Sequence, residues 1–190
     1  MKSDRTRKTI DVSRRQFLKG SATVVTGLLA PAIVPASVFG AEAPSNRVTL
    51  GCIGVGRQGT ADMRDFLGLS QVQIIAVCDL DAKRVQNAKK AVETHYSRQT
   101  SGGPYKGCKT FADFRELVAQ ADIDAVSIVT PDHWHTLPAI ATAKAGKDIF
   151  LEKPLTLTIE EGRVLSDTVR RYNRVFQVGS QQRSDTRFRQ

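Results

Sequence analysis

Val48-Thr-Leu-Gly-Cys-Ile-Gly-Val-Gly-Arg-Gln-Gly59 decides the fold of this chain. An apolar run, Val48 to Ile53, leads into Gly54-x-Gly56-x-x-Gly59. A helical pattern follows, then a second apolar run, Val72 to Cys78, closed by Asp79. The glycine spacing alone is weak. With a strand before it, a helix after it and an acid 20 residues past Gly59, it reads as a dinucleotide-binding fingerprint. Gly54 permits the tight turn, Gly56 lets the backbone approach a pyrophosphate, and Gly59 lets the helix pack closely on the strand. The pyrophosphate then lies at a helix N-terminus, where free N–H groups and the dipole favour an anion. The competing reading is a glycine-rich turn with no ligand.

Working outward, strands alternate with helices. The expected strands are Val48–Val55, Val72–Val77, Cys108–Thr110, Ala125–Val129, Ile149–Leu151 and Val175–Val178. Helical patterns cover Thr60–Leu69, with Ala61, Phe66 and Leu69 as its inner face, and Asp81–Tyr96, with Val85, Ala88, Ala91 and Val92 on one stripe. Further helices are expected over Ala112–Ala119, Leu137–Ala145 (ended by Gly146) and Ile159–Tyr172; Ser97–Gly107 is a loop. Near-continuous apolarity in the second strand suits a parallel strand covered on both sides. The fold class is therefore α/β, a doubly wound, Rossmann-type parallel sheet with right-handed crossovers.

The formal charge of +9 is uneven: residues 1–19 hold seven Lys/Arg against two Asp. The basicity is mainly a property of this leader, so it gives no argument for a nucleic-acid partner. Ser13-Arg14-Arg15-Gln16-Phe17-Leu18-Lys19, an interrupted apolar stretch and small residues near Ala41 resemble a bacterial twin-arginine export signal. The alternatives are a basic tail or an uncleaved anchor, but the apolar run falls short of the ~18 clean residues of a span. The expectation is a signal over 1–40, recognised by the twin-arginine translocation machinery, and a periplasmic or extracellular product. That route exports folded proteins with cofactor inside, which a dinucleotide enzyme outside the cytoplasm needs. Such a cofactor must also be regenerated in place, so a redox-neutral cycle is expected. Cys52, Cys78 and Cys108 suggest neither a disulfide framework nor a zinc site; Cys108, after the glycine-rich loop, is the expected exposed thiol.

Three clusters fall at the carboxyl ends of strands, where ligands of such sheets bind. The first is the glycine loop with Asp79. An acid there accepts from a ribose diol and repels a 2′-phosphate, favouring NAD over NADP. Asp81 reads better as a helix N-cap. Arg57 either faces a phosphate or is a solvated charge. The second cluster is Thr130-Pro131-Asp132-His133-Trp134-His135; its spacing does not favour a metal. Trp134 is a stacking surface or a packed aromatic. The third is Glu152-Lys153-Pro154. Lys153, partly desolvated and beside a bound nicotinamide, would have the lowered pKa that suits proton transfer or orienting a hydroxyl.

Together these residues resemble the Gfo/Idh/MocA oxidoreductases (glucose-fructose oxidoreductase, inositol dehydrogenase and relatives) over about residues 47–185. The resemblance assigns Gly54, Gly56, Arg57, Gln58 and Gly59 to the nucleotide loop. It places Thr130, Pro131 and His135 near the nicotinamide half, and Glu152-Lys153-Pro154 at the Glu-Lys-Pro motif. There the Lys contacts substrate and takes part in catalysis, and the Lys-Pro bond is often cis. It implies NAD-dependent hydride transfer with a sugar, inositol or related polyol, Lys153 and His135 serving catalysis and Glu152 facing the cofactor. Some relatives instead act as NAD-dependent glycosidases or lyases through transient oxidation. A binding domain without turnover is the non-enzymatic alternative. The family continues into a second α/β domain that carries the substrate pocket and the homo-oligomer interface. The Rossmann domain is accordingly expected over 46–178, with 179–190 as the start of a truncated second domain.

Overall fold

A computed structural model describes residues 47–99, 103–184 and 186–188. The expected leader and the small residues near Ala41 lie outside the described residues. Six strands form one parallel sheet: β1 (Val48–Ile53), β2 (Val72–Cys78), β3 (Lys109–Phe111), β4 (Ala125–Ile128), β5 (Asp148–Leu151) and β6 (Phe176–Val178). Their order is β3-β2-β1-β4-β5-β6. The chain builds outward from β1 on one side, then returns to β4 and builds outward on the other. The order therefore reverses between β1 and β4, which is where a doubly wound sheet opens a crevice for ligand.

Alternation along the strands divides the core. Leu50, Cys52, Ile74 and Val77 face α1 (Arg57–Leu67) and α2 (Ala82–Ser97). Ile53, Ile75, Val126 and Ile128 face α3 (Phe114–Val118), α4 (Thr136–Lys144) and α5 (Ile159–Arg171). The β1–β2 register slips by one residue between Leu50 and Gly51, skipping Ile75. Beside the slip, Ile74 N–H donates to the Tyr96 hydroxyl at 2.8 Å. A side chain of α2 thus satisfies a buried donor at the bulge.

Helix starts follow side-chain chemistry. Asp81 caps α2 by accepting from Lys83 and Arg84 N–H, as read from the sequence. Asp113 caps α3, which therefore begins two residues later than Ala112. Thr158 and Glu161 form a capping box on α5. Two expectations need correction. The buried residues of α1 are Gly59, Met63 and Leu67; Ala61 is exposed and Phe66 half-buried. The close seat of Gly59 on the glycine turn sets the helix rotation and carries Met63 and Leu67 inward. Leu69 lies past the helix end and is exposed. Cys108 is also buried, packed in the cluster under α2. Burial pushes its thiol up to about 12, and that of Cys78 likewise.

Candidate active site at the carboxyl ends of the strands

The eleven residues singled out from the sequence line one cleft of about 1030 Å³ at the β1/β4 reversal. This space is sufficient for a dinucleotide-sized ligand. Gly54 has φ +81°, and a Cβ there would lie 2.4 Å from Val129 O, so the turn and the start of the β4 loop interlock. A Cβ on Gly59 would lie 1.9 Å from Gly54 O. This contact brings the first turn of α1 onto the loop. Gly56 precedes α1 and provides no side-chain cap. The first N–H groups of any helix lack intrahelical partners, and here residues 56–59 of that turn line the cleft. Thr60 ties the same turn back, its hydroxyl donating to Val55 O at 2.9 Å.

Asp79 follows β2 directly and lines this cleft. Its Oδ2 accepts from Val55 N–H and its Oδ1 from Asp81 N–H, both at 3.0 Å. The carboxylate is oriented by backbone on both sides, and each oxygen retains capacity for a further donor. Arg57 and Gln58 are exposed at the rim; Gln58 donates its amide to Asp62 Oδ1 at 2.6 Å. Sequence reasoning missed Arg84 and the β3–α3 turn, where Ala112, Asp113, Phe114 and Arg115 also line the cleft. The weak sequence signal was the brevity of β3, which left the turn after it unplaced. Arg115 N–H and guanidinium hold the exposed Asp113 carboxyl below the usual carboxylate range.

Past β4, Thr130 Oγ1 is buried without a partner. Asp132–Trp134 form a single 3-10 turn, with Trp134 45% exposed at the cleft mouth rather than packed. His135 is 2% exposed. Its Nδ1 lies 2.6 Å from Pro154 O and its Nε2 2.9 Å from Thr130 O, so neither ring nitrogen is open to the cleft. Among the described residues, no group of three or more His, Cys, Asp or Glu could hold a metal ion.

Past β5, Glu152 is buried and its Oε2 accepts from Lys153 N–H at 2.9 Å. The Lys153-Pro154 bond is cis. Lys153 itself is exposed at the mouth of the cleft, and the desolvation expected for it depends on a nicotinamide bound beside it. A single sheet layer leaves the carboxyl ends of its strands open to solvent, and no described segment covers Lys153. Asp62 on α1 is a further unforeseen member of this end. Its Oδ2 is buried without a partner. Burial pushes its carboxyl up, Gln58 partly opposes this, and Glu152 adds to it.

A nicotinamide dinucleotide fits these features. The glycine turn offers a close backbone approach and free helix N–H groups for its pyrophosphate. Asp79 stands where ribose hydroxyls would donate, and Thr130 Oγ1 is an orphaned buried polar atom at the far end.

Residues 48–180 match the Gfo/Idh/MocA family, described as an oxidoreductase family with an NAD-binding Rossmann fold. An α-N-acetylgalactosaminidase of Shewanella oneidensis is 36% identical to the chain, the match covering 85% of this chain and 38% of that protein. A glycosyl hydrolase family 109 protein of Shewanella sp. strain ANA-3 matches at the same identity and coverage. Among solved structures, scyllo-inositol dehydrogenase from Lactobacillus casei, with bound NAD(H) and scyllo-inositol, superposes with a TM-score of 0.64 at 27% identity. It covers 74% of this chain and 38% of that one. Myo-inositol 2-dehydrogenase from Lactobacillus plantarum gives 0.63 at 27% identity and the same coverage. The chain thus spans about 38% of the length of the curated relatives it matches.

Proposed function

Because the chain belongs to the Gfo/Idh/MocA oxidoreductases through its NAD-binding Rossmann domain, we propose that it is the cofactor-binding part of an enzyme acting on a sugar, inositol or related polyol. In this reading a hydride moves between a carbinol carbon and the nicotinamide. The observation that carries it is the shared cleft: the glycine turn, Asp79, Thr130 and Lys153 open into one space at the strand-order reversal.

A bound nicotinamide dinucleotide would supply the hydride acceptor or donor. The helix N–H groups after Gly56 would hold its pyrophosphate, and Asp79 would accept from the ribose diol, which would favour NAD over NADP. Thr130, Pro131 and Glu152, which line the same cleft, would border the nicotinamide end. Lys153, at the mouth, meets the substrate carbinol and holds or receives the hydroxyl proton while its carbon changes oxidation state. The signal over 1–40 directs the folded protein out through the twin-arginine machinery. Residues 179–190 lead from the Rossmann domain, 46–178, into a second domain that completes the substrate pocket and a homo-oligomer interface.

The test is calorimetric titration with NAD⁺, followed by assay of NADH formation with inositols and sugars. Lys153→Met is expected to keep cofactor affinity within about threefold while polyol-dependent turnover falls by about 10²-fold or more. No NAD⁺ binding by the wild-type chain sinks the reading. Binding without turnover on any polyol reduces it to a nucleotide-binding domain.

A second reading has its own support in the 36% identity to the α-N-acetylgalactosaminidase. Here the sugar would be oxidised transiently to a ketone, the adjacent C–H proton and the glycosidic substituent would leave together, water would add across the double bond so formed, and the hydride would return to the ketone. Release of nitrophenol from a nitrophenyl glycoside with no net NADH favours this chemistry over net oxidation.

A further inference from the structure

His135 stands between two turns that are distant in sequence. Thr130 follows β4 and Pro154 follows β5, and the strand ladder joining these neighbours ends at Ile128 and Leu151. One more backbone bond, Glu152 N–H to Ile128 O at 3.1 Å, extends it. Among the described residues, no backbone bond joins 130–135 to 153–156. The imidazole bridges that gap, Nε2 at 2.9 Å from Thr130 O and Nδ1 at 2.6 Å from Pro154 O.

Both neighbours are carbonyl oxygens, which only accept. An imidazole with one N–H satisfies one of them and turns a lone pair toward the other. With two N–H groups it satisfies both. The residue is 2% exposed, so its ring is withdrawn from solvent. The charged groups of the two turns are Asp132 and His133 on one, which approach at 3.6 Å, and Glu152 and Lys153 on the other. The nearby buried residues of α4, Thr136, Pro138 and Ala139, bring no charge.

We propose that His135 is a positioning residue: a buried imidazole whose two ring nitrogens, both engaged by backbone carbonyls, tie the Thr130 turn to the Lys153 turn. It holds the two sides of the nicotinamide end at a fixed separation and exchanges no proton with substrate. This rests on the cofactor reading for its purpose, but the bridge belongs to the protein alone.

The test is long-range ¹H–¹⁵N NMR on the full chain at neutral pH. Its three histidines allow assignment by loss of one signal set in His135→Gln. A ring N–H of His135 in slow exchange with water is expected; ring N–H exchange as fast as that of the two other histidines overturns the proposal. Amide hydrogen exchange is then compared in wild type, His135→Gln and His135→Phe. In the Phe variant, exchange is expected to accelerate at least about tenfold over 129–136 and 152–156, with β1 and β2 unchanged. The Gln variant, whose amide still donates, is expected to fall between. Equal protection of 152–156 in all three overturns the proposal, as does uniform loss across the sheet. If wild type shows no NAD⁺-dependent protection, the cofactor reading fails, while the ring signals still decide the bridge.

Discussion

The carboxylate of Asp79 accepts the backbone N–H of Val55 at 3.0 Å, so the acid just past β2 also holds the glycine turn after β1. The side chain orients the loop, and in the proposed reading it also presents an acceptor to a ribose. Two substitutions separate these roles. Asp79→Asn keeps an acceptor for Val55 but removes the charge that repels a 2′-phosphate. Its expected effect is a rise of about tenfold in the NAD⁺ dissociation constant and a gain in NADP⁺ affinity, read by calorimetry with each cofactor. Asp79→Ala is expected to weaken both cofactors, because the loop loses its anchor as well.

Gly56 and Gly59 make opposite demands. At Gly59 a Cβ meets backbone at 1.9 Å, whereas at Gly56 the nearest atom is the flexible Arg84 guanidinium at 3.5 Å. Gly59→Ala is therefore expected to destabilise the fold by about 2–3 kcal/mol or more. Gly56→Ala is expected to leave stability within about 0.5 kcal/mol while NAD⁺ affinity falls about tenfold or more. Urea denaturation and calorimetry on the same samples check both. A Gly56→Ala protein that unfolds early would assign that glycine to structure instead of ligand.

Acid-dependent stability has contributions of opposite sign. Burial raises the Asp62 carboxyl, so between the usual carboxylate range and its folded value the native state binds the extra proton. Its contribution therefore falls as pH rises through that window, and the cost is fully present at neutral pH. Asp62→Asn, which keeps the acceptor for Gln58, is expected to raise Tm at pH 7, with the gain disappearing at low pH. Asp113 and Asp122 behave the other way. Arg115 and Lys109 hold their carboxyls low, and their contribution is lost as pH falls through those lowered values. Thermal melts of wild type and Asp62→Asn across the acid range check the sign.

Lys147 is 6% exposed, and its ammonium donates to Gln120 O at 2.6 Å and Ile123 O at 2.8 Å. Lys147→Met leaves both carbonyls without that donor. The expected cost is about 2–3 kcal/mol, or a Tm drop of about 5–10 °C, with NAD⁺ affinity unchanged because the residue lies outside the cleft. Differential scanning calorimetry with and without cofactor reads both.

Much of this was legible in the linear order. Apolar runs of β length, glycines at a fixed spacing and an acid at the end of the second run are local features, and each imposes its geometry on its own neighbours. They specified the parallel α/β fold, the glycine turn and the Asp81 cap. The motifs after β4 and β5 were visible as residues, and the strand ends placed them on one edge of the sheet.

Side-chain partners were not legible in the same way. The rotation of α1 depended on how closely Gly59 could approach Gly54, a distance between backbones that no periodicity records. Cys108 looked exposed beside a polar loop, yet packing under α2 buried it. His135 does line the cleft, as its neighbours in sequence do, but the sequence did not show that both its ring nitrogens are engaged. Only the folded chain brings Pro154 O to one of its nitrogens and Thr130 O to the other. Sequence determined which elements form and where the chemistry-bearing residues fall along them, because propensity, turn geometry and capping act over a few residues. Tertiary structure decided which of those residues face the cleft and which are consumed in holding it, because contacts between β4 and β5 turns arise only when the sheet assembles.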